Sequence, residues 1–493
     1  MMNKNFKNVL IFLSVSVLII ASLSSCNSMI NSDTNTTTQV DQSISEVSSN
    51  EPTEEAMTET EVIETNPPIE YFDIPSYTLN FNDSTPYDDA DGFISEDEEN
   101  VVLKSGANYT LKGALNNKRI RVVEGNMPEI FITLDGFNVK GSIDSLILIV
   151  DNCVASIELA DKSSNVIAIS DVNQSKYQDT YHNAAIFSRN LINFFGNGSL
   201  TIKTDNESSI ESEDSIYFIS GNYTFNTNGD AVRVKNEISF KSGNYDITCG
   251  DDAIKAKSDT DGHIVVEDAS MKINAGDKGF TSDGIVTVYG GDINIDSYGE
   301  SISGKVVALL GGDINLKSGD DAINSTDGKQ DKKSNQRGVY TKIANCNLYI
   351  DAVMDGIDSN GDLYLDSGKI FIDGADNNNE RIIDYNGIVT YGNMLEFVGV
   401  GPSSEMQDLG EDENKNYIIV YYKDPMNVKK ASDEIIVKDE DNNLIISHTT
   451  KKSYYAVMIA SPLLIPGRKY IISTKGKTVE VMLEPGKNEI YDR

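Results

Sequence analysis

Short apolar segments that alternate with polar residues recur through the middle of the chain. Copies of the pattern Gly-x-apolar-x-apolar, two of them degenerate at the first residue, begin at Gly198, Gly221, Gly243, Ala269, Gly291, Gly312, Cys346 and Gly368. These starts lie 23, 22, 26, 22, 21, 34 and 22 residues apart. Each copy is followed by a second segment, which consists of a small residue and an apolar one. A third apolar stretch then completes the repeat. One repeat therefore contains three short strands.

The period predicts one coil of a β-helix for each repeat. Period-two alternation buries one side of each strand, and stacked coils bury the inward residues in a continuous ladder. We therefore predict an all-β fold, a right-handed parallel β-helix with about 22 residues per coil, the hand being that of parallel crossovers in general. A β-propeller is the alternative, but its blades have about 40 residues and usually carry aromatic signatures that this chain lacks.

The regular repeats have less regular sequence on both sides. Residues 76–185 keep the alternation with a looser spacing, and longer apolar strands such as 417–422 appear after about residue 400. The end of a β-helix exposes an open edge that must be covered. We therefore predict a β-helix over residues 76–400 and a C-terminal β cap or small β-sandwich over residues 401–493.

The N-terminus has the order of a targeting signal. Two lysines precede an apolar run that ends at Leu23-Ser-Ser-Cys26, which indicates a signal peptide over residues 1–25. The ending resembles a bacterial lipobox and implies that Cys26 carries lipid; a plain signal peptide or a short membrane anchor is the alternative. Residues 26–75 are acidic and poor in apolar residues, as expected of a disordered tether. We therefore expect an extracytoplasmic protein that is lipid-anchored at the bacterial cell surface, although a periplasmic location remains open.

The charge of the chain restricts its partners. The 493 residues include 77 Asp and Glu against 41 Lys and Arg, a formal net charge of −36. A nucleic-acid partner is excluded because it requires a basic face, and we expect a monomer that contacts the membrane only through its lipid. The three histidines show no metal-ligand spacing with the four cysteines, which argues against zinc. Cys153, Cys249 and Cys346 are expected to be reduced core residues.

Acidic residues recur at one position of the repeat. The residue two places before the second apolar segment is Asp230, Asp252, Lys278, Glu300, Asp321 or Asp355. Parallel stacking places these residues in a column, where neighbouring carboxylates repel one another unless a cation lies among them. Calcium suits carboxylates and turn carbonyls; ordinary turn chemistry with water-facing acids, or Lys278 as the cation, is the alternative. The candidate calcium ligands are Asp230, Asp251, Asp252, Asp277, Glu300, Asp320, Asp321, Asp355 and Asp358.

Several motifs resemble those of a known family. They are the Gly-Asp-Asp-Ala-Ile turns at Gly250 and Gly319, the Gly-Gly-Asp-Ile-Asn strands at Gly290 and Gly311, and the segment Asn183-Ala-Ala-Ile-Phe-Ser. The chain resembles the carbohydrate-binding β-helix domain of clostridial-type surface lipoproteins over roughly residues 97–485. The resemblance implies a β-helix related in shape to pectate lyases, with calcium in acidic turns and plant cell-wall polysaccharide as ligand. Lys278 and the turn Asp376–Arg381 depart from the family pattern and put a calcium site there in doubt.

Three functions remain open on the sequence. The first is a binding module for polygalacturonate (pectin) or cellulose, without catalytic residues, in which calcium bridges the protein to uronate carboxylates. A basic insertion and four tyrosines would add sugar contacts: Lys329, Lys332, Lys333 and Arg337, and Tyr289, Tyr298, Tyr340 and Tyr364; a solvated insertion, and tyrosines that pack on the strands, are the alternatives. The second is a calcium-dependent polysaccharide lyase of the pectate type with Lys278 or Lys255 as the base. The third is a structural or adhesive envelope protein.

Overall fold

The protein is described by a computed structural model that covers most of the chain after residue 73. The described residues are 74–85, 87, 91–172, 176, 182–205, 208–257, 261–328, 335–375, 380–402, 406–412, 414–422, 432–474 and 477–492. The predicted signal peptide, Cys26 and nearly all of the predicted tether lie outside these ranges. Within them, no helix is long and apolar enough to cross a membrane.

Every regular element in the described ranges is a β-strand. The first coils contain β1 (Ser76–Asn80), β2 (Ile94–Glu96), β3 (Asn100–Lys104), β4 (Asn108–Asn116), β5 (Arg119–Val123), β6 (Glu129–Gly141), β7 (Ile147–Ile149), β8 (Val154–Leu159) and β9 (Ser164–Ile169). The following coils contain β10 (Ala184–Ser188), β11 (Ile192–Gly196), β12 (Ser199–Thr204), β13 (Ser208–Ser212), β14 (Ile216–Phe218), β15 (Asn222–Thr227), β16 (Val232–Val234), β17 (Glu237–Phe240), β18 (Asn244–Cys249), β19 (Ile254–Ala256), β20 (His263–Val266), β21 (Ala269–Ala275), β22 (Phe280–Ser282), β23 (Ile285–Val288), β24 (Gly291–Ser297), β25 (Ile302–Gly304), β26 (Val306–Leu309), β27 (Asp313–Ser318), β28 (Ile323–Ser325), β29 (Tyr340–Ile343), β30 (Cys346–Ala352), β31 (Ile357–Ser359), β32 (Asp362–Asp373), β33 (Ile383–Tyr385) and β34 (Val389–Gly401). The last region contains β35 (Tyr417–Tyr422), β36 (Glu434–Asp439), β37 (Leu444–Thr449), β38 (Ala456–Ala460), β39 (Lys469–Thr474), β40 (Lys477–Met482) and β41 (Lys487–Asp492).

The coils have three faces. The first face stacks β11, β14, β17, β20, β23, β26 and β29; the second stacks β12, β15, β18, β21, β24, β27 and β30; the third runs from β3 to β33. The long strand β32 joins the first two faces, because its start pairs with β29 and its end pairs with β30. All pairs between successive regular coils are parallel, so the predicted parallel β-helix is confirmed.

The core is a ladder of inward side chains held in register. On the first face, partners from Ile216 to Leu363 lie 22, 26, 22, 21, 34 and 22 residues apart, as the repeat predicts. Alternate residues of β18 are exposed and buried. The rings of Phe194, Phe218 and Phe240 stack at 5.1 and 5.0 Å between centroids, one ring from each of three successive coils. Burial of this ladder is the main stabilising contribution to the coil stack.

The longest repeat takes its extra residues at one corner. Only Lys305 lies between β25 and β26, whereas residues 326–339 lie between β28 and β29. Tyr340 of β29 nevertheless pairs with Val306 of β26 in the normal register. The corner between the third and first faces therefore varies in length without displacing the strands.

A β cap covers the C-terminal end of the β-helix. Strand β34 pairs antiparallel with β38, which also pairs with β35, and β37, β36, β39 and β40 form a separate four-stranded sheet. A second apolar cluster joins the last coils to this region, with Phe371 and Val398 packed in the same cluster as Ile435. His448 Nε2 lies 3.1 Å from Asp373 Oδ1 at the same junction. The open edge is covered as the sequence predicts, while the domain boundary at residue 400 stays a prediction.

Candidate functional site

The acidic position of the repeat forms one column at the corner between the second and third faces. The third-face residues Val232, Ile254, Phe280, Ile302, Ile323, Ile357 and Ile383 are partners in register. The residues two places before them therefore stack. We call this set the acid column; its members are Asp230, Asp252, Lys278, Glu300, Asp321, Asp355 and, in addition to those expected from sequence, Arg381.

Several carboxylates of the acid column bind the backbone of the next coil. Asp230 Oδ1 accepts a hydrogen bond from the amide of Asp252 at 3.2 Å, and Asp252 Oδ1 accepts one from the amide of Lys278 at 3.1 Å. Asp321 Oδ1 likewise accepts from the amide of Asp355 at 2.9 Å, and Asp355 accepts from the amide of Arg381. These acids thus satisfy turn amides that would otherwise be buried without a partner. Their structural role is independent of any metal.

Near Asp230, basic side chains already neutralise part of the charge. Oxygens of Asp230, Asp251 and Asp252 lie within 4.8 Å of one another, a spacing that could hold a metal ion. However, Lys255 Nζ lies 3.2 Å from Asp230 and 2.8 Å from Asp252. Burial raises the pKa of Asp230 to about 6 in spite of Lys255. Burial opposes the charge of Lys255, yet its hydrogen bond to Asp252 and the nearby carboxylates leave its pKa raised.

The middle of the acid column also contains an ion pair. Lys278 Nζ lies 3.0 Å from Glu300 Oε1. Burial and the charge of Asp252 raise the pKa of the neighbouring Asp277. Lys278 is therefore the counterion of Glu300, the alternative that the sequence left open for it.

Within the acid column, the negative charges of Asp321 and Asp355 are the least neutralised by basic side chains. Asp355 is buried and Asp321 is half-buried, and among the described residues neither forms an ion pair with a Lys or Arg side chain. Burial, followed by the charge of Asp355, raises the pKa of Asp321 to about 8. Burial raises the pKa of Asp355 to about 7, with Asp384 and Asp358 adding to the shift.

These acids fit the oxygen-donor set that calcium requires. Asp320 and Glu300 also raise the pKa of Asp321 by their charges, although among the described residues only the oxygens of Asp230, Asp251 and Asp252 lie within 4.8 Å of one another. Asn324 Nδ2 lies 3.4 Å from Glu300 Oε1 and 3.5 Å from Asp321 Oδ2, contacts that only partly satisfy these oxygens. Calcium takes carboxylate oxygens in flexible geometry. It would therefore be held by Asp320, Asp321 and Asp355, and Asp358 lies on the adjoining third-face strand β31.

The basic residues predicted to contact carbohydrate lie elsewhere. Lys329, Lys332 and Lys333 are outside the described residues. Arg337 is exposed in the insertion between β28 and β29, at the corner between the third and first faces, not at the acid column. The predicted role of this basic group stays a prediction.

Comparisons with known proteins concern the same part of the chain. Residues 97–306 and 286–394 match the family described as "Carbohydrate-binding domain-containing protein". A protein of that description from Acetivibrio thermocellus is 32% identical over 144 residues, which are 29% of this chain and 50% of the relative. The chain thus spans about half the length of that curated relative. A solved structure described as "Structure of the polysaccharide lyase-like protein from C. thermocellum, Gadolinium derivative" covers 64% of this chain and 96% of its own, with 21% identity and a TM-score of 0.34.

Proposed function

Because the chain belongs to the family of carbohydrate-binding domain-containing proteins, we propose that it is a lipoprotein that binds polysaccharide through calcium held in the acid column. The observation that carries the calcium part is the Asp321 and Asp355 pair, which faces across adjacent coils without a basic partner among the described residues. Bound calcium would supply the missing positive charge. Asp320, Asp321 and Asp355 would hold the ion, and Asp358 adds its negative charge from the next strand.

Calcium also accounts for an acidic protein binding a plant cell-wall polymer. With a net charge of −36, the protein would repel a polyuronate such as polygalacturonate. An ion whose coordination is only partly filled by protein oxygens can accept oxygens of the polymer as well. A neutral polymer such as cellulose would bind through its hydroxyl groups without this requirement. Lipid on Cys26 and the acidic segment 26–75 would keep the binding face outside the cell membrane.

The lysine geometry favours binding over cleavage. A lyase base must be deprotonated at the working pH to remove the proton next to a uronate carboxylate. Lys255 lies between Asp230 and Asp252, and its raised pKa keeps it charged. Lys278 is paired with Glu300. Neither side chain is poised as a base, so the lyase alternative has no specific support from this geometry.

Affinity electrophoresis tests the proposed function. The full chain in detergent is run in native gels with polygalacturonate, with a soluble cellulose derivative or with no polymer, each with calcium and with a chelator. We expect retardation by polymer, dependent on calcium for polygalacturonate, without the ultraviolet absorbance of unsaturated uronides. An absorbance rise that disappears in Lys255→Ala or Lys278→Ala would instead show a lyase, and mobility unchanged by every polymer would favour a structural or adhesive role.

A further inference from the structure

Tyr298 is the most exposed of the large apolar or aromatic side chains in the described ranges. It is 81% exposed, compared with 54% for Tyr289. It directly follows β24 in the turn that also contains Glu300. Within the described residues, its side chain takes part in no hydrogen bond or ring contact. Such an exposed aromatic ring gains free energy when a bound ligand removes its apolar surface from water.

The positions before and after Tyr298 in the stack of coils are glycines. Backbone hydrogen bonds continue the strand register one residue beyond the second face: Gly276 N to Cys249 O at 2.9 Å, Tyr298 N to Ala275 O at 3.2 Å and Gly319 N to Ser297 O at 3.0 Å. Gly276, Tyr298 and Gly319 are therefore consecutive members of one column. A Cβ on Gly319 would lie 2.1 Å from the carbonyl oxygen of Tyr298, and one on Gly276 would lie 2.3 Å from that of Gly250. Close packing of the coils thus disfavours a side chain at Gly276 and Gly319, and the Tyr298 ring lies between two positions without side chains; Val353 is the next residue of the column after Gly319.

A carboxylate lies against the turn that carries Tyr298. A Cβ on Gly299 would lie 2.5 Å from Asp277 Oδ1, so this oxygen rests against the residue that follows Tyr298. Asp277 is exposed, and no ion pair to it occurs within the described residues. The nearest lysine, Lys278, is engaged by Glu300. An exposed hydrogen-bond acceptor therefore lies against Gly299, the residue that follows Tyr298.

We infer that Tyr298 and Asp277 form a subsite for a neutral pyranose unit of the polysaccharide. The Tyr298 ring packs on the apolar C–H face of the sugar, and Asp277 accepts hydrogen bonds from its hydroxyl groups. The absence of side chains at Gly250, Gly276 and Gly319 lets the adjoining sugar units lie along the column. The charge of Asp277 disfavours a uronate at this position. This inference rests on the proposed function and narrows its ligand class to a chain that contains neutral sugars.

Calorimetric titration of the full chain in detergent tests the subsite. Cellopentaose and a galacturonate pentamer are the two probes, each with calcium and with a chelator. We expect Tyr298→Ala to lose about tenfold in affinity for cellopentaose, while Tyr298→Phe, which keeps the ring, stays close to the wild type. Leu444→Ala, which truncates an exposed apolar side chain on β37 of the C-terminal cap, serves as the control and is expected to leave affinity unchanged. Asp277→Asn retains an acceptor oxygen and should bind cellopentaose better than Asp277→Ala.

The outcomes separate this inference from the proposed function. Wild-type binding of cellopentaose that Tyr298→Ala leaves unchanged would overturn the subsite alone. Binding of the galacturonate pentamer without any binding of cellopentaose would overturn the neutral-sugar assignment and leave calcium-mediated binding standing. Binding of neither probe, nor of any polymer in the gels, would overturn both. Because Tyr298 is exposed, unchanged melting temperatures are expected for its variants and show that any loss is not caused by unfolding.

Discussion

Changing Asp321 to asparagine is expected to remove the stabilisation that calcium confers on the protein. For the wild type, this stabilisation is about 2.7 kcal/mol when calcium is present at about 100 times its Kd. The asparagine side chain would keep an oxygen that accepts the hydrogen bond from the Asp355 amide, but it lacks the charge that attracts the ion. Thermal unfolding with calcium and with a chelator measures the difference. Asp246→Asn, an exposed acid on the second face, is the control and should keep the full calcium effect.

The pH dependence of the same variants gives a second readout. Since the pKa values of Asp321 and Asp355 are raised to about 8 and about 7, the folded calcium-free protein binds these protons more tightly than the unfolded chain does. The resulting stability is fully present below the ordinary carboxyl pKa of 3.8, falls progressively as the pH rises, and is lost once the pH has passed the folded values of about 7 and about 8. We expect this loss in the chelated wild type and a smaller one in Asp321→Asn. Calcium should displace the protons and stabilise more strongly at pH 9 than at pH 6; equal calcium effects at both values would contradict the assignment.

Replacing Phe218 by alanine is expected to lower the free energy of unfolding by about 3–5 kcal/mol. The ring is fully buried and stacks at 5.1 Å on Phe194 and at 5.0 Å on Phe240. Its loss leaves a cavity that the two neighbouring coils, which are held by parallel strand pairing, cannot close. Guanidinium unfolding measures the change, and Tyr289→Ala, an exposed aromatic truncation, is the control with little expected effect.

The structure also predicts which strands are destabilised by Phe218→Ala. Coils of a repeat stack contact only their neighbours, so faster hydrogen exchange in Phe218→Ala should be strongest in β11, β14 and β17 and weaken along the stack. A loss below about 1 kcal/mol, or exchange that rises equally in all coils, would show that the stacked rings do not hold the coils together locally.

The periodic spacing of apolar residues is the feature of the sequence that best predicts the fold. The alternating repeat predicts the strand register, and because registered strands stack, it also predicts that Asp230, Asp252 and Asp321 share one column. The repeat fails to show Arg381 because the sequence before it lacks the Gly-Asp-Asp pattern of the other turns; the pairing of Ile383 with Ile357 reveals its place in the column.

The sequence predicts where each residue lies in the coils better than it predicts which groups each side chain contacts. Lys255 follows Ile254 on the third face, and nothing in its spacing shows that its flexible chain reaches back to both Asp230 and Asp252. The hydrogen bonds from column carboxylates to amides of the next coil were also missed, because they depend on turn geometry and not on residue type. Gly-Asp-Asp turns that stack in register are the signal that could have suggested them. The metal-binding role of the column acids and the sugar-binding role of the basic insertion stay predictions.

The corner between the third and first faces tolerates large changes in length. One residue suffices there between β25 and β26, yet fourteen fit between β28 and β29 with Tyr340 still paired to Val306. Inserted sequence at this corner therefore costs little more than the entropy of closing a longer loop. Related chains can diverge there in length and chemistry while the packed coils persist, and a peptide epitope or a second binding loop could be grafted at the same point.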